Sequence, residues 1–577
     1  MPASRPALPS RVPAYIIAGL VHAAAMLLAF PPVGFWPMVF VAPMPLIWAG
    51  WIRGQDLIST HGTRSRLGRG PIWVSLASSP LHLYAHQWVI DVSALGYPPY
   101  IFIMSAWSGV FVWMLSRVVA RWPRVPLVVV APILWTAVEV FRGEVFFTGY
   151  PWIMVAHPLI EAPWIPAAAS VLGTYFVGFL VAVVASAAMD VLADRGRRQW
   201  AIGGVIGVGA TVALCAALRP SSTGHEGTVR IGVVQTDIAQ SNKLEWRFDD
   251  RLKSLERFSA LTRQAAARKP DVIVWPETMF PGITLSESGV REERAARLSF
   301  QVPASVDPSG VMRSTEFYER LMALSASIEP PMLVGALGFE GLSITPGADN
   351  SLNFSQKAKY NSVFLVSKGV VDPARHDKLE LTPFGEIMPY IRHWPWLQKT
   401  MMDVGAGGMS FDLAMGTTPH VFSLPCKGDL AIVTPICFEA TKPGLCRKLV
   451  RAAGGRPGIM VNLTNDGWFG EFRAGRLQHL QAARWRCVEL GVPMVRAANT
   501  GMSAVIGDDG RVWTQLGSRA DGVLRAEVGV HPGAGETLYA RRGEWAGWAS
   551  LTGSTVLAGW ALIRRRTQSA RGPLTKA

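Results

Sequence analysis

The chain has 577 residues and a formal net charge of +15; half of its residues are hydrophobic and only 17% are charged. This length exceeds one ordinary domain, and this composition argues against a purely soluble protein. The five cysteines form no C-x-x-C pair and no zinc-type cluster with histidine, so we expect no metal site. We also expect no cofactor.

Eight apolar segments approach the roughly 20 residues that a helix needs to cross a bilayer. The third segment is the weakest prediction because it carries His82, His86 and Asp91, and the sixth is longer than a crossing requires. The predicted spans are 14–31, 34–52, 71–90, 98–116, 125–141, 162–192, 201–219 and 545–563.

Basic residues concentrate on one side of this arrangement. The two ends and the even-numbered loops carry 17 lysines and arginines against two acids, Asp56 and Asp194, which accounts for the whole excess of +15. In the short loops on the other side, the only basic residue is Arg142. This positive-inside pattern predicts cytoplasmic termini and an extracytoplasmic segment between spans seven and eight. No nucleic-acid partner is needed to explain the charge.

The chain therefore divides into three predicted parts: a transmembrane domain over 1–222, an extracytoplasmic domain over 223–540, and a final helix with a basic tail over 541–577. In the middle part, short apolar runs such as 229–237 and 458–466 alternate with helical stretches such as 245–269. This alternation predicts an α/β layered domain. The stretch 281–315 lacks a clear period, and we interpret it as a long loop or insertion.

Three chemically distinct side chains each follow a predicted strand. Glu277 ends "VIVWPE", Lys378 stands eight residues before Glu386, and Cys437 ends "IVTPIC". Each has a plain structural interpretation when taken alone, as a solvated acid, a surface amine and a buried thiol that acts as a small hydrophobe. An acid, an amine and a thiol at strand ends of one α/β domain together indicate nucleophilic catalysis.

The motifs around these residues resemble those of apolipoprotein N-acyltransferases, a membrane-embedded branch of the nitrilase superfamily. The resemblance covers nearly the whole chain in the family's order. It rests on "WPET" (275–278), "K-x-x-L-x-P-F-G-E" (378–386), "PICFE" (435–439), "VNLTNDGWFG" (461–470), "VQTDIAQSNKLEW" (234–246), 478–506 and "EVFRGEVFFTGYPW" (139–152).

The resemblance implies a multi-span α-helical membrane domain joined to a nitrilase-like αββα sandwich, with a catalytic triad of Glu277, Lys378 and Cys437. Glu277 would take the thiol proton, since the thiolate is the reactive form. Lys378 and a backbone N–H near Phe438 would face the oxyanion of the tetrahedral intermediate. Cys437 would then carry the acyl group as a thioester.

Five further residues are candidates for supporting roles, and four of them stand at positions that the family resemblance marks. Glu386 and Glu439 are expected to hold Lys378 charged and to orient the second substrate, although a salt-bridge network alone is an alternative. Trp246 matches a tryptophan associated with the second step, or simply packs. Phe438 stands where the family usually has tyrosine. Trp468 lies in an aromatic loop that could enter the bilayer and help lipid approach.

The resemblance implies transfer of a fatty acyl chain from a phospholipid to the N-terminal amine of diacylglyceryl-cysteine apolipoproteins, in a multi-pass protein of the cell inner membrane with a periplasmic catalytic domain. One alternative is a membrane-tethered, nitrilase-like amidase that uses the same triad with water. Another is a transporter or lipid-binding protein with an inactive domain. The phospholipid headgroup, the clients and the oligomeric state do not follow from the sequence.

Overall fold

The computed structural model describes residues 11–59, 69–219, 227–238, 248–302, 308–346, 352–383, 385–387, 394, 396, 413–424, 427, 430–454, 458–530 and 536–562. The N-terminal part is a bundle of helices joined by short 3₁₀ turns, and the last helix of the chain packs on it. The helices of this bundle are Val12–Ala29, Pro43–Ser59, Gly70–Ala85, Val89–Val92, Tyr97–Arg121, Leu127–Val140, Ala169–Leu172, Thr174–Ala193, Arg198–Leu218 and Trp545–Leu562.

Within the described residues, four helical segments are long and apolar enough to cross a membrane: Val12–Ala29, Tyr97–Arg121, Thr174–Ala193 and Arg195–Leu218. The prediction of one continuous span over 162–192 was wrong. The chain breaks at Gly173, whose φ of 84° lies in the left-handed region that favours glycine. Glu544 also lies against Gly173, so a Cβ there would collide with its carboxylate.

Among the described residues, the second part contains sixteen strands. In chain order they are β1 Gly227–Gln235, β2 Val272–Val274, β3 Ser299–Gln301, β4 Val311–Arg313, β5 Met332–Glu340, β6 Ser343–Pro346, β7 Leu352–Ser355, β8 Ala358–Ser367, β9 Val370–Asp377, β10 Phe422–Leu424, β11 Leu430–Val433, β12 Ile459–Thr464, β13 Met494–Ala498, β14 Ser503–Ile506, β15 Val512–Leu516 and β16 Gly522–Val530.

Twelve of these strands form two six-stranded sheets, with the orders β16-β1-β2-β5-β8-β9 and β10-β11-β12-β13-β14-β15. The centre of each sheet is parallel, β1-β2-β5 in one and β11-β12-β13 in the other. Strands covered on both faces have near-continuous apolar sequences, as β12 and β13 do.

The two sheets pack face to face, and helices cover both outer faces. Side chains such as Val233 and Val461 fill the layer between the sheets. Phe248–Ala266 and Glu316–Ala326 cover the first sheet, whereas Pro443–Ala452 and Arg473–Leu490 cover the second. These layers confirm the predicted αββα sandwich.

The stretch 281–315, which we interpreted as a loop, contains regular structure. Glu287–Ala295 is a helix that buries Val290, and β3 pairs with β4 in an antiparallel hairpin. Both elements are short, and a nine-residue helix with few apolar positions gives little periodic signal.

One helix, Arg473–Leu490, joins the sandwich to the bundle. Trp485 Nε1 donates to the carbonyl of His157 at 3.1 Å, and Gln478 Oε1 accepts from Trp152 Nε1 at 3.1 Å. All eighteen residues of this helix except Arg473 and Leu477 are buried, because the sheet and the bundle cover opposite faces. The strand ends of the second sheet therefore lie close to the helical bundle, which is the membrane part of the chain.

Candidate active site

Glu277 lies three residues beyond β2 and is 4% exposed. Both of its carboxylate oxygens accept hydrogen bonds. Oε1 accepts from Lys378 Nζ at 3.2 Å and from Asn361 Nδ2 at 2.7 Å, and Oε2 accepts from the backbone N–H of Asn465 at 2.8 Å. These donors hold the carboxylate in one orientation inside the sandwich.

Lys378 follows β9 directly and is fully buried. Its ammonium pairs with two carboxylates, Glu277 at 3.2 Å and Glu386 at 2.7 Å. Burial by itself disfavours the charged amine, but Glu277 and Glu386 outweigh burial and raise the pKa of Lys378 well above its usual value. Lys378 is therefore a fixed positive charge at neutral pH.

Cys437 lies at the turn that follows β11 and begins the 3₁₀ helix Cys437–Thr441. Its φ of 52° is in the left-handed region, which is uncommon for a residue with a Cβ and marks a turn held in place by its surroundings. Burial, followed by the charge of Glu277, raises the pKa of the Cys437 thiol, whereas Lys378 acts in the opposite direction. The resting side chain is therefore a thiol, and it needs a base to react at neutral pH.

The structure thus brings Glu277, Lys378, Glu386 and Cys437 together. Glu386 accepts from Lys378 through Oε1 at 2.9 Å and from the backbone N–H of Thr382 through Oε2 at 2.8 Å. Burial opposes ionisation of Glu386, but the ammonium of Lys378 outweighs burial, and the pKa of Glu386 is lowered. An acid, an amine and a thiol in one buried cluster can carry out acyl transfer through a covalent intermediate.

Glu439 does not contact the lysine amine, contrary to the expected role. Its Oε1 accepts from the backbone N–H groups of Leu379 at 2.6 Å and Glu380 at 3.0 Å. Its Oε2 accepts from the N–H of Ile436 at 2.7 Å. A single fully buried carboxylate therefore ties the segment after Lys378 to the turn before Cys437.

The aromatic residues predicted from the motifs have different environments. Phe438 is buried and stacks on Tyr150 of the membrane part, with ring centroids 6.0 Å apart and an interplanar angle of 14°. Trp468 is half-buried, in the 3₁₀ helix Asp466–Phe469. Trp246 lies outside the described residues.

Sequence reasoning missed Asn361, which links the two acids of the site. Its Nδ2 donates to Glu277 Oε1 at 2.7 Å and to Glu386 Oε1 at 3.3 Å. Asn361 is a buried residue of β8 that precedes the apolar run 363–366, and with polar residues on both sides of it in that strand its sequence position gives no distinct signal.

A second buried network, which the sequence analysis did not predict, lies next to the backbone of Cys437. Arg496 pairs with both oxygens of Asp466 at 2.9 Å, and His479 Nδ1 lies 3.0 Å from Asp466 Oδ1. His479 Nε2 is 3.4 Å from the carbonyl oxygen of Cys437. Burial opposes ionisation of Asp466, but Arg496 and His479 outweigh it and lower its pKa. Asp466 was visible in "VNLTNDGWFG", but its partners are distant in sequence.

Comparison with known families matches both parts of the chain. Residues 22–187 match the model of the apolipoprotein N-acyltransferase N-terminal domain, and residues 230–531, more than half of the chain, match that of carbon–nitrogen hydrolases. A Rhodopseudomonas palustris protein named apolipoprotein N-acyltransferase is 29% identical over 548 residues, which cover 92% of this chain and 91% of that protein. One of the same name from Bradyrhizobium diazoefficiens is 29% identical over 574 residues, covering 95% of each chain.

Solved structures show weaker similarity. An amidase of the nitrilase superfamily from Nesterenkonia is 15% identical, covers 57% of this chain and 98% of its own, and has a TM-score of 0.35. A glutamine-dependent NAD⁺ synthetase from Acinetobacter baumannii is 12% identical and has a TM-score of 0.33. The match covers 52% of this chain and 45% of the synthetase chain. The two family models and the full-length relatives agree, and the chain belongs to the apolipoprotein N-acyltransferase family of the nitrilase superfamily.

Proposed function

We propose that this protein transfers a fatty acyl chain from a phospholipid to the N-terminal amine of diacylglyceryl-cysteine apolipoproteins through a thioester on Cys437. One observation carries the proposal. The Cys437 thiol is buried in one cluster with Glu277 and Lys378, and the next residue, Phe438, stacks on Tyr150 of the helical bundle. The nucleophile is therefore next to the part of the chain that meets lipid.

In the first half-reaction, Glu277 accepts the proton of the Cys437 thiol, and the thiolate attacks the ester carbonyl of the phospholipid. The Lys378 ammonium and the backbone N–H of Phe438 stabilise the oxyanion of the tetrahedral intermediate. The intermediate collapses by breaking the ester C–O bond. Glu277 returns its proton to the departing alkoxide, which leaves as lysophospholipid, and Cys437 retains the acyl group as a thioester.

In the second half-reaction, the apolipoprotein amine attacks the thioester carbonyl. Glu277 accepts a proton from the attacking nitrogen, and the carbon–sulfur bond breaks to give the amide. The thiolate of Cys437 then recovers the proton from Glu277. Splitting the transfer in this way allows two bulky membrane substrates to use one pocket in turn, which gives ping-pong kinetics.

The supporting residues act on this pocket in different ways. Glu386 keeps Lys378 charged, and Glu439 holds the backbone on which Lys378 and Cys437 stand. Trp468 contributes to lipid approach from the loop Asp466–Phe469. Trp246 acts in the second half-reaction, as the family resemblance implies.

The chain is a membrane protein of a lipoprotein-modifying family. We assign it finer features on the basis of the distribution of arginine and lysine: cytoplasmic termini, a transmembrane domain over 1–222, a periplasmic catalytic domain over 223–540 and a final membrane helix within 541–577. In this arrangement the Cys437 pocket faces the outer leaflet of the inner membrane, where phospholipid and apolipoprotein are both available.

Labelled phospholipid tests the proposal and separates it from its alternatives. Purified full-length protein is incubated with phospholipid carrying a labelled sn-1 acyl chain, and a hydroxylamine-sensitive covalent adduct is sought. The proposal requires an adduct that is absent in Cys437→Ala and that a lipopeptide amine discharges much faster than water does. Fast discharge by water would instead establish an amidase-like hydrolase, and absence of any adduct an inactive lipid-binding protein.

A further inference from the structure

Lys442 occupies a junction that the proposed mechanism does not use. It follows the 3₁₀ helix Cys437–Thr441 directly and is 3% exposed. A buried lysine is uncommon unless it is paired, so its contacts are informative.

The Lys442 ammonium joins two segments that are remote from each other in sequence. It donates a hydrogen bond to the backbone carbonyl of Thr148, in the membrane part. It also pairs with Glu380 Oε2 at 2.8 Å, two residues beyond Lys378. The Lys442 charge is therefore the meeting point of three segments: the 3₁₀ helix Cys437–Thr441 (the nucleophile helix), the segment after Lys378 and the bundle loop that contains Thr148.

Each of these segments leads directly to a catalytic element. The backbone N–H groups of Leu379 and Glu380 are held by Glu439, so Glu380 belongs to the rigid connection between Lys378 and Cys437. Thr148 stands two residues before Tyr150, whose ring stacks on Phe438.

Arg486 reinforces the same junction. Its Nη1 donates to the carbonyl of Thr441 at 2.7 Å, and its Nη2 donates to Thr174 Oγ1 of the membrane part at 3.1 Å. The end of the nucleophile helix is thus tied to the bundle twice, once by Lys442 and once by Arg486. Buried, charge-assisted hydrogen bonds of this kind add geometric precision.

We propose that Lys442 is a positioning residue, which aligns the Lys378 ammonium and the bundle loop at Thr148 with Cys437 so that a phospholipid ester can react. This inference rests on the proposed function and adds a residue to its first half-reaction. Deprotonation of the thiol by Glu277 depends less on this alignment, because two of the three donors to Glu277, the Asn361 side chain and the Asn465 backbone N–H, make no contact with Lys442. Removing Lys442 should consequently slow attack on a lipid ester much more than alkylation of the thiol by a small reagent.

The experiment compares Lys442→Met, Lys442→Arg and Lys448→Met with the wild-type full chain. Lys448 is an exposed lysine of the next helix, Pro443–Ala452, and serves as the matched control. For each protein, the rate of Cys437 thioester formation is measured at saturating labelled phospholipid. Alkylation of Cys437 by iodoacetamide is followed in parallel by mass spectrometry of its peptide.

Lys442→Met is expected to lower the saturating thioester rate at least tenfold while alkylation changes less than threefold. Lys442→Arg should recover most of the rate, and Lys448→Met should match the wild type. Equal thioester rates in Lys442→Met and the wild type would overturn the inference. A parallel fall in both reactions would overturn it too, because it would mean that Lys442 only maintains the fold. Absence of a wild-type adduct would instead refute the proposed function.

Discussion

Lys378 Nζ lies 2.7 Å from Glu386 Oε2, and both side chains are buried. Burial disfavours the lysine charge, and the paired carboxylates of Glu277 and Glu386 more than compensate, so the pKa of Lys378 is raised. A cation maintained in this way can stabilise an oxyanion without depending on pH in the neutral range. The consequences of this pair and its neighbours can be measured.

Glu386→Gln removes one of the two carboxylates that raise the pKa of Lys378. That pKa should therefore fall, and the alkaline limb of the thioester-formation rate should move to lower pH by about one unit or more, since a nearby opposite charge commonly shifts a pKa by 1–3 units. The rate is measured from about pH 6 to about pH 11.5, because the pKa of Lys378 in the wild type lies above the ordinary lysine value of about 10.4. Glu256→Gln, at an exposed acid of Phe248–Ala266, is the control. An unmoved alkaline limb would show that Glu386 does not set the charge of Lys378.

Glu277→Gln separates the role of a base from that of a nearby charge. Loss of the base should lower thioester formation at pH 7 by roughly 10²–10⁴-fold. After burial, Glu277 is the next cause of the raised pKa of Cys437, so its removal lowers the thiol pKa. Alkylation of Cys437 by iodoacetamide at high pH should therefore become faster even though lipid acylation is lost. If both reactions slowed together at every pH, Glu277 would be acting structurally.

Asp466→Asn should reduce stability in a pH-dependent way. The folded pKa of Asp466 lies below the unfolded value of about 3.9, so the carboxylate stabilises the fold fully above about pH 4 and loses that effect as pH falls towards the folded pKa. The substitution leaves Arg496 without its charged partner and should cost about 3 kcal/mol at pH 7. Denaturant unfolding of both proteins at pH 7 and pH 3.5 checks this. The difference in free energy of unfolding between the wild type and Asp466→Asn should be smaller at pH 3.5 than at pH 7. An equal difference at both pH values would contradict a stabilising role of the Asp466 carboxylate.

Glu439→Ala should affect both stability and the first half-reaction. Three backbone N–H groups would lose a buried acceptor, at a cost of roughly 1–3 kcal/mol for each group left unsatisfied. Thermal unfolding in detergent measures the loss. Glu439→Gln, which retains an acceptor oxygen, should recover part of the stability. A fully stable Glu439→Ala protein would mean that water replaces the carboxylate.

Trp468→Ala tests whether the loop Asp466–Phe469 helps lipid approach. Acyl loading at low phospholipid should slow about fivefold, equivalent to roughly 1 kcal/mol of lost aromatic contact. Loading at saturating phospholipid should change less, because the triad is intact. Trp513→Ala, at an exposed tryptophan of β15, is the matched control. Unchanged loading at both concentrations would remove Trp468 from lipid entry.

Much of the architecture was accessible from local patterns. Apolar runs predicted the bundle and the buried strands of both sheets, since burial on both faces requires continuous hydrophobicity. The break at Gly173 was not predicted, because an apolar sequence on both sides of a glycine has the same composition whether the helix continues or turns. The helix Glu287–Ala295 was missed because its few apolar positions give no clear period.

The sequence likewise allowed some residues of the active site to be predicted and not others. Glu277, Lys378 and Cys437 could be named because residues at strand ends stand next to recognisable strands and motifs. Asn361 and Arg496 escaped notice because their roles depend on partners 84 and 30 residues away. The contacts of Glu439 could not be foreseen for the same reason: nothing in "PICFE" shows that the carboxylate turns towards the backbone N–H groups of Leu379 and Glu380.

Composition and periodicity are local properties of the chain, and they were enough to identify the chemical types of the site and the apolar segments around it. Folding was needed to establish which charges pair in the buried cluster, and that Lys442 and Tyr150 join the nucleophile to the bundle. These contacts depend on distances between segments that folding alone brings together, and in a buried environment those distances set both the pKa values and the geometry.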